Sequence, residues 1–168
     1  MIVISESMPD SIKDYFDQPG NPSFLQTTNT AFSDAGYNFT NIKDYLDNGI
    51  YLTTALKCRK KDYLVSSETI KNCSTLLCRE IEAFSGVKVF MLMGDFAIKC
   101  INYIWKKKYN AKVIPAGSTY KIRTQNIEFE GVRFFPSYTQ TGGSFNIEKS
   151  KREMIAKDIQ NAMKIILN

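Results

Sequence analysis

Short apolar runs alternate along this chain with stretches whose apolar residues recur every three or four positions. Met1 to Ser5 is a continuous apolar run ending in polar residues, the pattern of a buried strand. Ser11 to Phe16 predicts a short helix, and Gln18-Pro19-Gly20-Asn21-Pro22 breaks the chain into a loop. A helix over Phe24 to Ala35 closes at Gly36. A shorter one over Thr40 to Gly49 has a polar start and an Asn48-Gly49 stop.

Ile50 to Leu56 is rich in β-branched and aromatic residues and predicts a strand. The basic stretch Lys57-Cys58-Arg59-Lys60-Lys61 is expected to be a loop. Ser67 is the expected cap of an amphipathic helix carrying Ile70, Cys73, Leu77, Ile81 and Phe84 on one face. Val87 to Met93 predicts a central strand, and Gly94-Asp95 opens a helix with Ala97, Cys100, Ile101, Ile104 and Trp105 inward. Short β segments are expected at Val113-Ile114, Tyr120 to Arg123, Ile127 to Phe129 and Val132 to Phe135. Glu148 to Leu167 predicts the last helix. This alternation argues for one α/β domain over residues 1–168, a mainly parallel sheet between layers of helices.

The 168 residues suit one core, and 43% hydrophobic with 23% charged residues is ordinary for a globular chain. No apolar run approaches the roughly 18 residues that span a bilayer, and Met1-Ile2-Val3-Ile4 has no basic segment before it. The expectation is a cytoplasmic, monomeric protein without membrane contact. A net charge of +5 is compatible with an anionic partner. Among the four cysteines, Cys73, Cys78 and Cys100 fall in helical patterns, where buried free thiols are common. The absence of histidine excludes Ser-His-Asp and Cys-His catalysis and every histidine-bound metal. Acid–base chemistry falls to carboxylates, tyrosine, lysine or water.

Ligands of parallel sheets bind beyond the carboxyl ends of the strands. Four segments lie there: Ser5 to Asp10, Thr53 to Lys60, Met93 to Ala97, and Phe134 to Tyr138. In this order, and above all in Tyr51-Leu52-Thr53-Thr54-Ala55-Leu56-Lys57-Cys58-Arg59 and Pro136-Ser137-Tyr138, the chain resembles the uracil-DNA glycosylase superfamily. The nearest branch is that of the thermostable iron–sulfur glycosylases and their bacterial and archaeal relatives. The resemblance implies a three-layer α/β/α fold with a four-stranded, mainly parallel sheet and a DNA-binding groove across the strand ends.

Base excision extrudes a nucleotide, reads its base in a pocket, and uses a carboxylate to position water against an oxocarbenium-like sugar. Glu6 matches the family's polar residue. The family's proline falls two residues after it, whereas here Met8 stands there and Pro9 follows, so Asp10 is a second candidate. The other reading of Glu6 is a carboxylate that binds local backbone amides. Phe24 matches the aromatic that stacks on the flipped base, or else belongs to the core. Lys57, Arg59, Lys60 and Lys61 are expected at phosphates. Ser137 and Tyr138 match the loop that presses on the minor groove, with Tyr138 or Phe145 as the unstacking wedge.

Three further departures from the family bear on function. Thr54 replaces an asparagine whose amide reads uracil, and a hydroxyl cannot make that bidentate pairing. Phe135 replaces a histidine before Pro-Ser, and losing such a donor costs about 3 kcal/mol of barrier, roughly a hundredfold in rate. Of the four cysteines of the iron–sulfur branch, only Cys58 and Cys73 have counterparts, so no cluster and no other cofactor are expected. The sequence thus supports a DNA-base glycosylase with an altered pocket formed by Phe24, Thr54 and Phe135. The alternative is a catalytically silent protein that binds nucleic acid or a nucleotide in the same groove. No Gly-x-Gly-x-x-Gly and no phosphate-binding loop support a third, unrelated nucleotide-binding module.

Overall fold

The sheet is built around the most apolar runs of the chain. In a computed structural model, which describes residues 1–59 and 65–167, five strands form: β1 (Ile2–Met8), β2 (Tyr51–Arg59), β3 (Val89–Met93), β4 (Ile127–Phe129) and β5 (Val132–Ser137). Their order is β2-β1-β3-β5-β4. The first four in that order are parallel, and β4 pairs antiparallel with β5. Ile2-Val3-Ile4 in β1 and all of β3 are buried on both faces, as the continuous apolar runs require. Of the five strands, four are those implied by the resemblance. The fifth, β4, joins β5 through a hairpin in which Glu130 and Gly131 both have positive φ, 50° and 79°.

Helices cover both faces. One core layer lies between the sheet and α1 (Ser23–Asp34), α2 (Ile42–Asp47) and α7 (Lys149–Ile166); it includes Val3, Leu52, Met91, Phe135, Phe32, Tyr45 and Ile159. The opposite layer faces α3 (Ser67–Glu82) and α4 (Asp95–Tyr109), and includes Ile4, Phe90, Leu92, Leu77, Ile101 and Trp105. Two short helices, α5 (Thr119–Ile122) and α6 (Gly143–Ile147), flank the sheet. No helix among the described residues is long and apolar enough to cross a membrane.

Local differences from the sequence reading have physical causes. Ser66, not Ser67, caps α3, its Oγ accepting from the Thr69 amide at 3.0 Å. Only Ile12–Asp14 of the expected helix over Ser11 to Phe16 is helical, as a 3-10 turn. Val113-Ile114 pairs with no strand because Asn102 of α4 clamps it: Ile114 N donates to Asn102 Oδ1 at 2.8 Å, and Asn102 Nδ2 to Ile114 O at 2.9 Å. The expected strand Tyr120 to Arg123 is helical, with Arg123 at the carboxyl cap of α5.

Arg123 explains that placement. Its Nε donates to Asp158 Oδ2 at 3.0 Å, and its Nη2 to Asp158 Oδ1 and to Met154 O, each at 2.7 Å. Ser137 Oγ donates to the same carboxylate at 2.6 Å. This buried knot ties α5, the end of β5 and α7 together. Burial pushes the Asp158 carboxyl up from its ordinary value, while the Ser137 hydroxyl and the guanidinium act against that rise. Removing one partner of a buried ion pair strands the other charge. Arg123→Ala should therefore lower unfolding stability by about 3–5 kcal/mol, read from the midpoint of a urea transition.

Candidate functional site at the strand ends

Strand register assembles the site. Ser5 stands opposite both Thr54 and Met93, and Met93 opposite Ser137, so one row crosses β2, β1, β3 and β5 near their carboxyl ends. Side chains alternate across a strand. Val3 and Leu52 face the α1–α7 layer, so Ser5 and Thr54, two positions on, face it too. All four residues of the row are buried.

Glu6, the next residue along β1, turns to the other side. Its Oε1 accepts from the Phe96 amide at 3.3 Å, in the first turn of α4. Gly94 makes room for this: a Cβ there would lie 2.5–2.7 Å from the Glu6 side chain, and its φ of 105° favours glycine independently. A carboxylate at a helix amino terminus is stabilised by the amides and the dipole. Glu6 is half-buried, whereas Asp10 lies exposed in the loop beyond β1.

On the opposite face, α1 brings Phe24 and Thr28 to the row one helical turn apart. Thr28 Oγ1 donates to Phe24 O at 2.7 Å. The Phe24 ring, half-buried, leans on Phe16 with centroids 5.6 Å apart. Gln140, from the loop after β5, closes the row: its Nε2 donates to Ser5 Oγ at 2.8 Å and to Thr28 Oγ1 at 3.4 Å. Gln140 Oε1 and Thr54 Oγ1 are buried with no hydrogen-bond partner. The sequence reading did not single out Ser5, Thr28 or Gln140. All three are small or polar residues at a strand end, in a helix and in a polar loop, without a local signal.

The structure draws Glu6, Phe24, Thr54 and Tyr138 toward one edge and directs others elsewhere. Phe135 points into the core, opposite Met91 and one row below Ser137, with the Arg133 guanidinium 5.0 Å from its ring. It is therefore wall rather than rim. Ser137 is not at the surface, since its hydroxyl is buried on Asp158. Phe145 is buried as well, under Arg152, which leaves Tyr138, half-exposed beneath Lys151, as the aromatic at the rim.

The basic stretch divides. β2 continues through Arg59, so Lys57 lies in the strand, on the face toward α3. Its ammonium pairs with Glu80 and donates to Thr53 Oγ1 at 2.7 Å, and Glu80 also accepts from Tyr51 and Thr53. Lys57 is thus committed within the fold and does not reach outward. Arg59 is exposed at the end of β2, opposite Met8. Lys60 and Lys61 lie outside the described residues.

The four cysteines fall on β2, α3 and α4. Cys73 Sγ accepts from the Lys57 amide at 3.4 Å, beside Cys58, whose thiol is pushed up first by desolvation and then by Cys73. Cys100 sits below, against Ala55 O at 3.9 Å, and burial pushes its thiol up to about 11. Cys78 lies further along α3, beside Glu82 and Lys108. Among the described residues, no three histidine, cysteine or acidic side chains converge as metal ligands. A cavity of about 680 Å³ opens between α3 and α4, with Lys71, Lys99, Lys106 and Lys112 in its walls and no strand residue among them.

Comparison with curated proteins gives no match. Residues 18–161 match the family described as the uracil DNA glycosylase superfamily, an interval that contains Phe24, Thr54 and Gln140 and begins after Glu6 and Asp10. The matched interval covers most of the chain, including β2 to β5, α1 to α6, most of α7 and three of the four strand-end segments; the chain belongs to the uracil DNA glycosylase superfamily.

Proposed function

We propose that the chain is a DNA-base glycosylase, hydrolysing the N-glycosidic bond of uracil or another damaged base as a cytoplasmic monomer. The observation that carries this reading is the Glu6 carboxylate seated on the first turn of α4, at the sheet's carboxyl edge and next to the buried row. Glu6 positions the attacking water and faces the positive charge that develops on the sugar. Asp10, exposed on the same loop, is the second carboxylate. Phe24 stacks on the extruded base, Thr54 borders its edge, Arg59 meets a phosphate, and Tyr138 enters the gap in the duplex. Phe135 offers the departing base no hydrogen bond, so turnover is slow. No step calls on a metal or cofactor.

One observation favours a silent, DNA-binding alternative: Ser5, Thr54 and Gln140 are closed off from solvent, so a base enters only after the Gln140 loop shifts. Base release from single- and double-stranded oligonucleotides carrying uracil, hypoxanthine, xanthine or thymine opposite guanine decides between the two, with enzyme in large excess. Release by wild type that falls about 10²–10⁴-fold in Glu6→Gln is the expected result. No release with retained oligonucleotide binding would establish the alternative. In the same binding assay, Arg59→Ala should reduce the slope of log K against log salt by about 0.9, one phosphate contact's worth on duplex DNA.

A further inference from the structure

In much of the molecule cations find carboxylates: Lys57 meets Glu80, Lys108 meets Glu82, Arg123 meets Asp158, and Arg152 meets Asp34. The cavity of about 680 Å³ between α3 and α4 is different. Lys71, Lys99, Lys106 and Lys112 line it, and none of the four is in an ion pair among the described residues. Glu68 is the one acidic residue among the described lining, so the walls carry an excess of three positive charges, more than half of the chain's net +5. Like charges gathered in a concave site focus a positive potential, which an anion offsets. Lys99 and Lys106 lie two turns apart on α4, roughly 10 Å along its axis, with Tyr103 between them. Asn102 spends both ends of its amide on Ile114, at 2.8 and 2.9 Å, and so holds the segment after Lys112 against the helix. Lys99 Nζ rests 4.8 Å from the centroid of the Phe96 ring, a contact that steadies the ammonium without neutralising it. Ile70 and the half-buried Tyr103 give the cavity an apolar side.

We propose that this cavity binds a nucleoside polyphosphate, with the phosphates on the lysines and the base against Tyr103 and Ile70. Its volume falls within the roughly 300–1,000 Å³ of small-ligand sites. Ammonium groups act on phosphate as point charges, and four of them on separate turns suit a chain of phosphates better than one planar carboxylate. An aromatic face in a basic setting is the combination on which bases stack. With no glycine-rich phosphate loop in the chain, recognition falls to side chains rather than backbone amides. None of Glu6, Phe24, Thr54 and Gln140 lines the cavity, so the site is separate from the strand-end row and independent of the proposed glycosylase activity.

The test is calorimetric titration of the full chain, in EDTA, with ATP, GTP, tripolyphosphate and adenosine. At least one nucleotide should saturate at one per chain, with tripolyphosphate about tenfold weaker and adenosine unbound at the same concentrations. Lys71→Met combined with Lys106→Met keeps the apolar stems and should weaken nucleotide and tripolyphosphate together, by about a hundredfold. Tyr103→Ala should weaken the nucleotide about tenfold and leave tripolyphosphate unchanged. Lys88→Met with Lys121→Met removes as much charge outside the cavity and should change neither affinity appreciably. Substitutions of exposed lysines rarely disturb folding, and the urea midpoint of each variant checks this. Equal losses in the two double variants would mean diffuse attraction to a basic chain and overturn the inference. So would the absence of saturable binding by either nucleotide, or a nucleotide affinity indifferent to Tyr103→Ala. Displacement of the nucleotide by an undamaged single-stranded oligonucleotide at lower concentration overturns it too, in favour of a nucleic-acid backbone. Base release is not part of this measurement, so its failure leaves the proposed function standing.

Discussion

Because β1 pairs in parallel with β2 on one side and β3 on the other, the carboxyl ends of these strands leave the sheet along one edge. Parallel pairing also forces each connection to cross over a face, and here the crossovers are helices. The register then decides which residues meet. Ser5 is bracketed by Thr54 and Met93, and Glu6 is turned by the strand's alternation onto the start of α4. A slip of one residue in β1 would put Ser5 against α4 and Glu6 into the apolar α1–α7 layer.

Two polar groupings at the same edge show how differently such residues can be used. Around Asp158 both carboxylate oxygens find donors, in Arg123 and Ser137, and the result is a joint between α5, β5 and α7. Around Ser5 the accounting is incomplete, because Gln140 and Thr54 each keep an atom without a partner. Proteins tolerate such incompleteness where binding needs it, and satisfy their polar groups elsewhere. The Asp158 knot lies at the end of β5, with β3 between it and the Ser5 strand, so a rigid joint and a looser polar row share the same end of the sheet.

Much of the fold was legible in the chain because the decisive signals are local. Continuous apolar runs marked β1 and β3, Asn41 and the Asn48-Gly49 stop bounded α2, and apolar spacing marked α3, α4 and α7. What misled was long-range. Tyr120 to Arg123 reads as a strand in isolation, but Arg123 is drawn to Asp158, 35 positions away. Lys57 reads as part of a basic loop, yet its alternate position along β2 turns it toward Glu80. Ser137 reads as a surface hydroxyl until Asp158 of α7 is seen above it. Gln140 carries no local signal at all, since its place in the row comes from reaching Ser5, 135 positions earlier.

The place of β1 in the sheet also governs how the molecule comes to be. Ile2 must find Tyr51 on one side and Phe90 on the other. During synthesis the central strand therefore precedes both of its partners, and it stays unpaired on its β3 side until Val89–Met93 has followed. Contacts so distant in sequence make folding slow, and a bare apolar strand is the segment most exposed to misassociation in the interval. Ser5 and Glu6 sit at the end of that same strand, so the row they belong to cannot be complete before Val89–Met93 has joined it.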